Sequence, residues 1–294
     1  MIKSAYFPNI TFSTQEDLFV ALKRNEDLII ETKKSIVYNS SIDTVKSAVP
    51  LTLIDTRYFE DTEKGVGFRT KENYMYPVIS TTNYLDSHDD VHWLNSMNQT
   101  AKDQQGKVYF CTDHLLTSDG IVVTKSNIEM FIKSIPWSLL GKPYEGNTNA
   151  LIFGFDKKNI IHDKAAKILE VEKDIQCSIR MVYKKVILAM NSNHKDHAEN
   201  LKYFNENVDK IANKEVAYER GYFFGVESLG IRGEGSMVLG GGSNDATIVY
   251  ETKTEEADTV TSEDIEPLQS TQKTLSQFDM MKTILSTTKI KNNA

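Results

Sequence analysis

"IQCSIRMVYKKVILAM", residues 175–190, is the stretch that decides how the rest of the chain reads. Ile179, Val182, Val186 and Ile187 are β-branched, and no Gly or Pro interrupts the run. It reads as one long strand. Side chains alternate faces along a strand, so Cys177 and Ser178 point to opposite sides. Outward from it, "YPVIS" (76–80), "KVYFC" (107–111), "NALIFGF" (149–155), "GYFFGVESLGI" (221–231) and "GSMVL" (235–239) read as further strands. Residues 46–82 as a whole read as strands and turns.

Helical signals fall between the strands. "STQEDLFVALKRNEDLIIETKKS" (13–35) reads as one helix opened by a Ser13–Glu16 capping box. "SNIEMFIKSI" (126–135) has a second box, Ser126–Glu129, and an apolar face of Ile128, Phe131, Ile132 and Ile135. "HDDVHWLNSMNQTAKDQ" (88–104), a short stretch near 162–170 and "AENLKYFNENVDKIANKEV" (198–216) also read as helices. The alternation is too irregular for a doubly wound parallel sheet. The expected fold is α+β: a small, partly closed antiparallel β-barrel surrounded by helices. Residues 1–250 form the expected folded domain. Residues 251–266 hold seven acidic residues and one Lys, so 251–294 reads as a flexible acidic tail ending in a weak helix from about Ser270 to Thr288.

Composition excludes several function classes. The net charge of −7 argues against nucleic acid as a partner, because phosphate binding needs a basic face. No apolar run is long enough to span a bilayer, and the N-terminus lacks the apolar core of a signal peptide. Two cysteines, Cys111 and Cys177, are too few for a secreted disulfide scaffold, so a cytosolic chain with reduced thiols is expected. There is no phosphate loop, no G-x-S-x-G elbow and no zinc-ligand spacing, and neither cofactor nor metal is expected.

Candidate chemistry centres on histidines. His88 and His92 are four apart with Asp89 and Asp90 between them; on a helix they would share a face and could hold a metal, against the plainer reading of a polar helix start. His194 and His197 read as solvated, and His162 has no companions. His114 differs, because it ends the strand of "GKVYFCTDHLL" (106–116), where a rigid element can aim an imidazole. A Ser or Cys nucleophile needs such a base. Either Ser178 or Cys177 can face His114, but not both. Glu227 and Glu234, in or beside the last strands, are the carboxylates that could orient the imidazole.

The segments "VYFCTDHLL", "CSIRMVYKKVILAMN" and "GIRGEGSMVLGGGSN", in this order, resemble the prohead (capsid maturation) proteases of tailed bacteriophages. In that family a strand ends in an Asp-His pair, a later strand carries the nucleophilic Ser, and the closing strand reads Glu-x-Ser-x-Val. The resemblance covers about residues 75–250. It implies His114 as general base, Ser178 as nucleophile and Glu234 or Glu227 as third member, on a herpesvirus assemblin-like barrel. It further implies cleavage of phage scaffold and major capsid proteins, possible self-association, and residence in the infected bacterium's cytoplasm and the prohead interior. Two features depart from the family: Arg180 stands where a Gly usually follows the Ser by two, and residues 196–219 form a longer helical insertion. The same fold could also serve as a catalytically inactive capsid-assembly or scaffold protein.

Overall fold

A computed structural model describes residues 1–35, 71–172 and 174–251, all within one compact unit, Met1–Thr254. Residues 46–70, the tail beyond Glu251 and its expected helix lie outside the described residues. The chain begins with a small hairpin, β1 (Ile2–Lys3) and β2 (Thr11–Phe12), then helices α1 (Gln15–Arg24) and α2 (Glu26–Ser35). Next come β3 (Tyr74–Thr81), β4 (Asp90–His92), α3 (Asn98–Asp103), β5 (Tyr109–Thr112) and β6 (Ile121–Val123). After these lie β7 (Glu129–Pro136), β8 (Asn147–Asp156), α4 (Asp163–Val171) and β9 (Gln176–Met190). The described chain closes with α5 (Ala198–Asn207), α6 (Lys214–Arg220), β10 (Tyr222–Val238) and β11 (Ile248–Glu251).

The fold is α+β, built on two larger sheets that are open among the described residues. One has the order β11-β3-β8-β7, all antiparallel. The other is organised by β10. Its 17 residues are long enough for β4 and β5 to pair in tandem along one edge, both parallel to it, while β9 runs antiparallel along the other. The expectation of an all-antiparallel sheet is corrected by those two parallel pairings. A shared core that includes Ile79 and Phe153 from one sheet and Ile179 and Met237 from the other joins them. At Gly235 the sheets come so close that a Cβ would lie 2.8 Å from Ile79 and 2.9 Å from Phe153.

Several elements differ from the sequence expectations. The N-terminal helix breaks at Asn25, and its capping box is Thr14–Asp17, one residue later than expected, with both reciprocal bonds made. "SNIEMFIKSI" is not a helix. Its residues pair with β8 over the whole of β7, a tertiary ladder that outweighs a helical spacing of apolar residues. Of the expected helix over 88–104, residues 88–97 are a turn, β4 and a further turn, and only α3 is helical. The 198–216 segment splits into α5 and α6 around a short 3-10 turn, Val208–Lys210. The two closing strands are one, β10, carrying a register shift between Ile231 and Gly235, where Gly233 takes φ +77°.

Candidate active site

Alternation along β10 places the site. Gly235 faces the other sheet, so Glu234 and Ser236 project from the opposite face. Ser178 of β9 is the register partner of Ser236, and Cys111 of β5 is its partner on the other side. Directly opposed residues share a face, so Ser178, Ser236 and Cys111 look the same way. Cys177, one residue earlier, belongs to the core.

β5 ends by turning over this face. Asp113 and His114 both adopt left-handed backbone, at φ 46° and 60°. That conformation costs about 1–3 kcal/mol per residue and persists only where the surroundings hold it. Three bonds to β10 and the residue after it do so. The Asp113 amide donates to the Met237 carbonyl at 2.8 Å, the His114 amide donates to Ser236 Oγ at 3.1 Å, and the Leu239 amide donates to Asp113 Oδ1 at 3.1 Å.

The turn sets the imidazole against a fully buried carboxylate. His114 Nδ1–H donates to Glu234 Oε1 at 2.7 Å, and the Ser236 hydroxyl donates to Glu234 Oε2 at 2.6 Å. Both carboxylate oxygens are therefore bonded, which a carboxylate with no solvent exposure requires. His114, Glu234, Ser236 and Ser178 are all buried. Arg180 and Glu234 both act on the Cys111 thiol: burial pushes it up to about 12, Glu234 adds to that, and Arg180 opposes it. Arg180 thus belongs to the same surroundings as Glu234.

The other candidates lie elsewhere. Glu227 pairs with Lys185 and accepts from the Tyr203 hydroxyl at 3.4 Å, and does not join His114. The helical face that His88 and His92 would need does not form. His92 sits on β4 between Ser80 Oγ (3.4 Å) and the Tyr183 hydroxyl (3.3 Å), and burial lowers its imidazole to about 4. Ligand-type atoms of Asp86, His88 and Asp90 do lie within 4.8 Å of one another. Lys33 already supplies the cation there, its ammonium 2.6 Å from Asp90 Oδ1 and 3.2 Å from the His88 carbonyl. His197, expected to be solvated, is buried against Ser192 Oγ at 2.8 Å. His162 caps α4, accepting from the Ala165 amide at 3.0 Å.

Sequence reading picks out the closing Glu-x-Ser-x-Val motif but gives its serine, Ser236, no role. The signal was present as Glu-x-Ser, a period-2 spacing that puts both side chains on one face of a strand.

Comparison of the chain with family models, with curated proteins and with solved structures returned no match in any of the three.

Proposed function

We propose that this chain is a serine-type endopeptidase of the phage prohead class, with an assemblin-like site. The observation that carries the reading is the buried His114–Glu234 pair held at a strained strand end, with Ser178 on the same face one strand away. Glu234 engages Nδ1, which fixes the tautomer and leaves Nε2 as the proton-transfer atom. In the proposed reaction Ser178 Oγ attacks a peptide carbonyl and passes its proton to Nε2. The imidazolium is stabilised by Glu234 and then protonates the leaving amine. Water repeats the sequence in the deacylation half, releasing the acid and restoring the Ser178 hydroxyl. Arg180, on the Ser178 side of β9 by alternation, is suited to the oxyanion.

The proposed substrates are scaffold and major capsid proteins of the same phage, met in the host cytoplasm and the prohead interior. Among the described residues no helix is long and apolar enough to cross a membrane. A second reading, an inactive assembly protein on the same fold, is favoured by one feature: the bulk and charge of Arg180 beside a buried Ser178. The two readings separate on co-expression with the neighbouring capsid and scaffold proteins, followed by intact mass measurement. Trimmed products with the native chain and none with Ser178→Ala or His114→Ala are expected. Full-length partners alongside the native chain would sink the peptidase reading.

A further inference from the structure

We infer that Ser236 is a positioning residue that holds both halves of the His114–Glu234 pair. This deepens the peptidase reading and rests on it for the activity it affects. One hydroxyl makes two bonds with opposite roles. It donates to Glu234 Oε2 at 2.6 Å, leaving its lone pairs to accept from the His114 amide at 3.1 Å. The first bond fixes the carboxylate's rotation, so that Oε1 stands 2.7 Å from Nδ1. The second pins the left-handed backbone from which the imidazole projects. Ser236 has no solvent exposure, so removing its hydroxyl takes a partner from two groups that do not face bulk solvent. Its strand neighbours are held as well. Gly235 is fixed by contact with Ile79 and Phe153, and Met237 accepts from Asp113. The hydroxyl is thus fixed relative to both groups it serves.

A purely structural serine would change stability alone; a positioning serine changes the tautomer of the imidazole it holds in place. The test uses the full chain and three variants: Ser236→Ala, Ser236→Thr, which keeps the hydroxyl, and Ser178→Ala. Nitrogen-15 imidazole shifts at pH 8 read the His114 tautomer, and the rate of labelling by a fluorophosphonate reads nucleophile activation. The native chain should show His114 protonated at Nδ1 only. Ser236→Ala should show mixed tautomers and label roughly 10- to 100-fold more slowly, part of what acid–base assistance contributes. Ser236→Thr should restore both readouts. A Ser236→Ala protein with a single Nδ1–H tautomer and native labelling overturns the inference. If Ser178→Ala labels as fast as the native chain, the peptidase reading fails instead, while the tautomer readout still decides the role of Ser236. Should Ser236→Ala not fold, loss of the single tautomer in Glu234→Gln together with its retention in Ser236→Thr supports the clamp. Mixed tautomers in a folded Ser236→Thr overturn it.

Discussion

At the scale of single residues, burial sorts the possible nucleophiles and carboxylates. Desolvation pushes the Cys177 thiol far above its ordinary value and Cys111 to about 12, so both are protonated at neutral pH and poorly nucleophilic. Native protein treated with iodoacetamide should show no mass adduct until denaturant is added, and Cys177→Ala should process substrate normally. A native adduct at Cys177 that abolishes processing would point to a thiol mechanism. The carboxylates divide just as sharply. Glu234 has no exposure and touches the imidazole, whereas Glu227 is committed to Lys185. Glu234→Gln should lower turnover by roughly 10³–10⁴-fold, the effect of losing an orienting carboxylate. Glu227→Gln should leave any such rate within about twofold, since its partners are Lys185 and Tyr203 and it does not join His114. Equal losses in both variants would contradict the assignment.

At the scale of elements, β10 carries the site because it is bent where the site begins. Gly233 absorbs the positive φ, and the register shift before Gly235 re-aims Glu234. Gly235 then lets this strand approach Ile79 and Phe153 more closely than any side chain would permit. Gly235→Ala forces a methyl into a gap of 2.8 Å. It should destabilise the chain by about 1–3 kcal/mol, the usual cost of overpacking. Because the displaced backbone carries Glu234 and Ser236 on either side, activity should fall further than the stability change explains. Urea unfolding beside an activity assay checks this. A Gly235→Ala protein of native stability would mean the sheets are looser than the packing at Ile79 and Phe153 indicates.

At the scale of the whole molecule, a second buried polar cluster ties the N-terminal helices to the sheet. Lys33 on α2 reaches Asp90 at 2.6 Å, with both side chains nearly or fully buried. Asp90 also accepts from Tyr183 at 2.8 Å. Beside them, desolvation and then Asp90 raise the Asp86 carboxyl to about 8. A carboxyl whose folded pKa lies above its unfolded value holds an extra proton in the folded state, so its contribution to stability is lost as pH rises from about 4 toward 8. His92 acts oppositely. Its lowered value, about 4 against 6.5, makes stability rise with pH across that interval. The two oppose each other below pH 6.5, and above it, of the two, only Asp86 still contributes. Unfolding free energy should therefore decline between pH 6.5 and pH 8 by up to about 2 kcal/mol. Asp86→Asn, which keeps an oxygen for the His88 and Asp90 amides, should flatten that decline. An unchanged pH slope in this variant would mean that Asp86 is ionised throughout.

The long strand at 175–190, the strand around "YPVIS", the buried "NALIFGF" strand and the opposition of Cys177 to Ser178 were all legible in the residues alone. These follow from local chemistry: β-branched runs favour extended backbone, and alternation is a property of one strand alone. The sequence also marked His114 at a strand end, Ser178 within a strand, and Glu227 and Glu234 in or beside the last strands, with their roles implied by the resemblance. The rest depended on long-range packing. "SNIEMFIKSI" carries a helical spacing, yet becomes β7 because β8 offers a ladder along its full length. His88 and His92 would share a face on a helix, yet β4 pairs with β10 and Lys33 takes the cation's place. The choice between Glu234 and Glu227 depended on which end of β10 lies beside β5, a pairing between residues more than a hundred positions apart. Distance along the chain carries no record of such pairings, because they are selected by the packing of both sheets at once.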